Sequence, residues 1–196
     1  SDAEKRASVR LELAGGYFSR GQFNTALDEI KPALAAKPDM GAAYNMRGLV
    51  YAAMGEERLA EESFERAMSL NPRDADAMHN RAWFKCQRGQ YDDADRLFEQ
   101  AIATPQYRDL ARSLMAQGIC YARAGRMVPA EQKLLRAYEV DPTNPTTAYN
   151  LADVLYRRSE LERARFYIRR VNDREELSNA QTLWLAARIE KKMGNE

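Results

Sequence analysis

The sequence predicts an all-α solenoid, a right-handed superhelix of about eleven helices, on three observations. The first is a fixed period. Gly21, Gly55 and Gly89 stand 34 residues apart, as do Ala26, Ala60 and Ala94, and again Ala33, Ala67 and Ala101. Tyr17 with Tyr51, and Pro38 with Pro72, keep the same spacing. Such a period marks a helix–turn–helix array. The second observation is the residue type at each recurring place. Ala14, Gly48, Ala82, Gly118 and Ala152 hold the eighth position of their units, and Ala26, Ala60, Ala94, Ala130 and Ala164 the twentieth. Small side chains there let paired helices come close, because interaxial distance is set by what lies at the contact. Tyr17, Tyr51, Phe64, Phe98, Tyr121 and Leu134 fill the space around those approaches. The third is punctuation: a Gly between helices ends the first one in a left-handed conformation, and a Pro stands where the unit must stop.

In order, the full units are 7–40, 41–74 and 75–108, then 111–144 and 145–178, with Asp109 and Leu110 counted as an insertion. The first unit carries Pro32 inside its second helix. An interior Pro removes a hydrogen bond and costs about 3 kcal/mol, so that helix is expected to kink or end early. The fourth unit keeps Gly125, Ala130, Ala137 and Pro142. The fifth keeps Ala152, Leu155 and Ala164, but Ser159 stands where Gly is expected. Residues 179–193 read as the first helix of a sixth unit whose second helix is missing.

The period makes residues 1–196 one elongated domain, and five units suffice for a stable fold because stability sums over units and neighbours. The 30 basic and 29 acidic residues leave a net charge of +1, which argues against nucleic acid as a partner. The pairs Arg157–Arg158 and Arg169–Arg170 read as solvated helix faces. No run of about 18 apolar residues exists, so no transmembrane helix is expected. The chain begins at Ser1 rather than Met, so it is expected to be trimmed, with any targeting segment upstream.

Catalytic chemistry is not expected. The single histidine, His79, lacks the companions a zinc site needs. Gly15 and Gly16 lie in a helical pattern with no strand before them, which fails the context of a nucleotide loop. No serine sits in a nucleophile-elbow pattern. The expectation is therefore no enzyme, no cofactor and no metal.

Two cysteines pose the one chemical question. Cys86 is at position 12 of the third unit and Cys120 at position 10 of the fourth, both on first helices. At 100° per residue they turn to opposite flanks of neighbouring helices, so they can face each other. Spacing leaves a bridge and two small buried thiols equally open, since free Cys is often buried.

Taken together the pattern resembles the tetratricopeptide repeat family over nearly the whole chain. One stretch goes further. It runs His79-Asn80-Arg81-Ala82-Trp83-Phe84-Lys85-Cys86-Gln87-Arg88-Gly89-Gln90-Tyr91, followed by Ala101-Ile102-Ala103-Thr104-Pro105-Gln106-Tyr107, Gly118-Ile119-Cys120 and Leu183-Trp184-Leu185-Ala186-Ala187-Arg188-Ile189. This resembles the type IV pilus biogenesis and stability lipoproteins, the PilF/PilW family. Their third repeat carries NNYGxFLCxxGxY, followed by an A-x-x-x-P-x-Y insertion, a G-x-C in the fourth repeat and an LWLGIRIA-like sixth unit. His79 replaces the first Asn, Arg81 and Ala82 replace Tyr-Gly, and Lys85 replaces a Leu.

The resemblance implies a monomeric pilotin in the oxidising periplasm, lipid-anchored to the outer membrane through a cysteine upstream of Ser1. It implies the secretin pore subunit as partner, and it favours a Cys86–Cys120 disulfide. Two other readings stand beside it. One is a cytoplasmic adaptor with a carboxylate clamp. Its clamp positions here hold Leu11, Gly15, Met46, Asp76 and Asn80, which do not build one. The other is a targeting region cut from a larger enzyme.

In such repeats the first helices line the concave face near positions 2, 5, 9 and 12. These positions give Leu11, Phe18, Asn45, Leu49, His79, Trp83, Met115, Ile119, Tyr149, Asp153 and Tyr156 as the expected partner-binding groove. Its apolar members suit an amphipathic helix of the secretin subunit. The alternative is that Phe18 and Trp83 tuck between helices as core.

Overall fold

The computed structural model describes residues 1–195. Among the described residues there are eleven α-helices and no strand, the all-α, solenoid-like fold expected. They are α1 (Asp2–Ser19), α2 (Phe23–Ala36), α3 (Gly41–Ala53), α4 (Glu57–Leu70), α5 (Ala75–Gln87), α6 (Tyr91–Ile102), α7 (Leu110–Arg123), α8 (Met127–Val140), α9 (Pro145–Arg157), α10 (Leu161–Asn172) and α11 (Ala180–Lys192). Two compact units divide them, Ser1–Phe84 and the residues from Lys85 on, the division falling inside α5.

In the first compact unit, α1 and α2 close over Ala14, Ala26, Ile30 and Val50, with Tyr17, Phe18, Phe23 and Met46 packed around them. Helix α1 starts five residues before the repeat does. Ser1 caps it by accepting the Glu4 amide at 3.2 Å, and Asp2 and Glu4 favour the positive helix end. Helices α3 and α4 meet where Phe64 lies against Gly48, and the Phe64 and Phe84 rings pack 5.7 Å apart. In the second compact unit, Gly118 of α7 lies against Leu134 and Ala130 of α8, and one core runs from Ala130 through Leu155 and Ile168 to Ile189.

Of the two expected effects of Pro32, a kink or an early end, the early end does not occur, because α2 continues to Ala36. Pro32 deprives only the Asp28 carbonyl of its donor. Asp28 is an exposed residue of the helix.

The turn inside each repeat is the same. Gln22, Glu56, Gln90 and Arg126 donate their amides to the carbonyls five residues back at 2.9 Å, across glycines with φ of 74–78°. The fifth turn keeps this bond, from Glu160 to Leu155 at 2.9 Å, although Ser159 carries φ 62° without being glycine. The period slip is absorbed in the connection 103–109, which replaces the shorter connections 37–40, 71–74 and 141–144. Leu110 is thus the first residue of α7 and Asp109 its cap, rather than an inserted pair outside the helix. Helix α11 begins at a capping box between Asn179 and Thr182.

Two substitutions test this packing. A Cβ on Gly118 would stand 2.6 Å from Leu134 Cγ and 3.1 Å from the Leu134 backbone nitrogen. Overpacking against backbone outweighs the helix propensity gained, so Gly118→Ala should destabilise by about 1–2 kcal/mol in urea unfolding. Ser159→Gly removes left-handed strain of about 1–2 kcal/mol and adds unfolded-state entropy of about 0.4–1 kcal/mol. It should stabilise by up to about 1 kcal/mol in the same measurement.

Candidate functional site

In the first compact unit the expected groove positions are half-covered rather than open. Leu11 is half-buried on α1. The Phe18 ring packs 5.8 Å from Phe23 against the α1–α2 core, so it tucks between helices. Leu49 packs on the core formed by Ala60, Phe64 and Phe84. Asn45 Oδ1 accepts from Asn80 Nδ2 at 3.2 Å, which joins α3 to α5. Trp83 is half-buried. His79 is only 4 % exposed and does not present itself to a partner.

In the second compact unit, Met115, Ile119, Tyr149 and Tyr156 pack on the core of α7–α11. Asp153 pairs with Arg157 at 3.1 Å. Burial, and then the Asp153 carboxylate, raise the Tyr149 phenol, partly offset by nearby arginines and a hydrogen bond with Gln181. Tyr156 carries the Arg188 guanidinium 5.1 Å and the Lys192 ammonium 4.8 Å from its ring centroid. The structure therefore brings Tyr149 and Tyr156 of α9 to face α11, an aromatic seam with a cationic edge. A cleft of about 280 Å³ opens beside Tyr149, Asn150, Gln181 and Thr182.

The groove positions expected from the period run from the first to the fifth unit. The most exposed large apolar side chains include Leu183 at 54 % and Trp184 at 67 %, both on α11. Leu183 occupies the same place in its unit as Leu11 and Asn45. Extending the period by one more unit would have named it.

Cys86 and Cys120 are joined in a disulfide, with Cα atoms 5.9 Å apart and both residues buried. The bridge ties α5 to α7. Next to it, Gln117 Nε2 donates to Asp95 Oδ1 at 2.8 Å and Glu99 Oε1 at 2.7 Å. Burial, a hydrogen bond with Asp95 and the charges of Asp95 and Glu99 push the Tyr121 phenol well above its ordinary range. Lys133 bonds Glu99 at 2.8 Å and holds its carboxyl below the usual value, with Gln117 adding to the effect. Further along, the buried Glu131 of α8 accepts from both Arg158 and Arg163. None of these sets has the form of a catalytic site. Among the described residues no three His, Cys, Asp or Glu converge as a metal site, and no helix is long and apolar enough to cross a membrane.

Sequence profiles of the tetratricopeptide repeat match residues 41–74, 63–96 and 86–145, together more than half of the chain. The chain belongs to the tetratricopeptide repeat family. Within that family it is homologous to the type IV pilus assembly protein PilF of Pseudomonas aeruginosa, with 24 % identity over 166 residues. The match takes in 85 % of this chain and 65 % of that protein, so the chain spans just under two thirds of this relative. The crystal structure of PilW, described as a widely conserved type IV pilus biogenesis factor, superposes with a TM-score of 0.88 at 28 % identity. That superposition covers 96 % of this chain and 86 % of PilW. A Pseudomonas aeruginosa PilF structure gives a TM-score of 0.87 at 22 % identity, over all of this chain and 87 % of that one.

Tetratricopeptide arrays are held by neighbour contacts alone, so a covalent tie between adjacent repeats should matter. Reduction of Cys86–Cys120 should lower stability by about 3–4 kcal/mol on the chain-entropy account. Denaturant unfolding with and without reductant checks it.

Proposed function

We propose that the chain is a non-catalytic protein-binding scaffold of the type IV pilus machinery. Its role is that of a pilotin, which helps the secretin subunit reach and assemble in the outer membrane. The observation that carries this reading is the likeness to PilW over 96 % of the chain at 28 % identity. The homology to PilF supports it, as does the placing of Cys86 and Cys120, whose bond would persist in an oxidising periplasm. On this reading the protein works as one monomeric domain at the periplasmic face of the outer membrane, held by a lipid anchor outside this chain. Catalysis, cofactor and metal have no part in it.

The contact we assign to the partner is the seam of Leu11, Asn45, Leu49 and Trp83, all within the first compact unit. Its half-covered apolar side chains suit the apolar face of an amphipathic helix. Asn45, already bonded to Asn80, fixes the spacing of the helices that frame it. Phe18 acts from behind, as packing.

The test is a pull-down from bacterial envelope extract with the chain as bait. Recovery of a secretin subunit is the expected result, and its absence from an extract that contains assembled secretin would refute the role. In a binding assay, Leu11→Ala and Trp83→Ala should each weaken capture by about 1 kcal/mol or more, while the exposed Glu57→Ala should not. Melting points of the variants separate lost binding from lost folding.

A further inference from the structure

Where the second helix of one repeat meets the first helix of the next, a polar set closes the seam in all the later junctions. At α4–α5, Arg81 Nε bonds Glu61 at 3.0 Å and a terminal nitrogen reaches Glu65 at 3.4 Å. At α6–α7, Gln117 bonds Asp95 and Glu99. At α8–α9, Glu131 takes Arg158, and at α10–α11, Glu190 stands 3.6 Å from Arg165.

The first junction, α2–α3, is different. Arg47 stands one period before Arg81, but the places of Glu61 and Glu65 hold Leu27 and Lys31. The arginine is present and its carboxylates are not. A cleft of about 550 Å³ occupies this junction, lined among others by Leu27, Lys31, Leu34, Tyr44, Arg47 and Tyr51.

Arg47 is held ready. Its Nε donates to the buried Ser63 Oγ at 3.0 Å, and its guanidinium lies 4.7 Å from the Tyr44 ring centroid. Ser63 is fixed in turn by donating to the Leu59 carbonyl at 2.7 Å. No described side chain bonds the two terminal nitrogens of Arg47. Arg66 lies on the same Tyr44 ring at 5.7 Å. Among the lining residues, Lys31 and Arg47 outweigh Asp28. A planar donor fork beside an apolar wall matches a carboxylate carried on an apolar body.

We propose that the α2–α3 cleft is a second binding site, for a peptide segment in which Glu or Asp is flanked by large apolar side chains. The segment's carboxylate accepts from the terminal nitrogens of Arg47, whose Nε is held by Ser63, Lys31 steadies it, and its apolar side chains lie on Leu27, Leu34 and Tyr51. This site is separate from the pilotin seam. On α3, Arg47 is turned about 200° from both Asn45 and Leu49.

The test is a backbone-amide NMR titration of the whole chain with the probe acetyl-Leu-Glu-Leu-amide. Saturable shifts in residues 27–35 and 44–51 are expected, with a Kd on the order of 1 mM. Acetyl-Leu-Gln-Leu-amide should bind about tenfold more weakly. Arg47→Gln should cost a similar factor, as should Lys31→Glu, which supplies the missing carboxylate from the chain itself. Lys31 is exposed, so this second variant keeps the fold if Arg47→Gln does not. No saturable shift, an equal response to the Gln peptide, or unchanged binding by Lys31→Glu would overturn the proposal. Shifts confined to Leu11, Asn45 and Leu49 would also overturn it while leaving the pilotin seam intact.

Discussion

Everything in this fold rests on the distance between the two helices of a repeat. Gly48 and Gly118 stand where a single methyl group would meet Phe64 or Leu134 at 2.6 Å. Ala14, Ala82 and Ala152, at the same place in the other repeats, are wholly buried. With the gap this narrow, a large side chain fits only from the opposing helix and only one turn away. That forces the alternation of small and aromatic residues. It also fixes the angle at which each helix leaves the pair, and so the faces left for the next repeat.

The seams between repeats obey a looser rule. From α4–α5 onward each pairs its polar groups, but the pairs need not be the same. One seam uses an arginine with two glutamates, the next a glutamine with Asp95 and Glu99, and the next a glutamate between two arginines. Where α9 presents Leu151 instead of a polar side chain, Glu131 finds Arg158 and Arg163. Such varied pairs add little net stability over apolar packing. They do make every neighbour contact chemically distinct, so a repeat docked one place out of order would bury charges without partners.

Much of this was legible in the sequence because it depends on periodic backbone geometry. The turn glycines, the small contact positions and the final half repeat all lie on the period. Ser159 shows how strong that geometry is, since the turn keeps its left-handed residue after the glycine is lost. Pro32 does not end its helix early, because an interior Pro removes one hydrogen bond and the rest of α2 carries on to Ala36. The groove was legible only as a set of positions. The burial of His79 and the packing of Phe18 on Phe23 are decided by the side chains opposite them, which a period does not specify. The missing partner of Arg47 needed the repeats to be compared with one another, position by position.

The bridge joins Cys86 and Cys120, which stand 34 apart in sequence, the length of one whole repeat. This gives the chain a mechanical property that hydrogen bonds and packing cannot. If the two ends are pulled apart, the repeats outside the bridge can peel away and lengthen. The residues inside it remain a closed loop, withholding roughly 110 Å of extended contour. Tension then passes from Cys86 of α5 to Cys120 of α7 through sulfur rather than through α6, and the residues between the two cysteines are shielded from the load that unravels the rest.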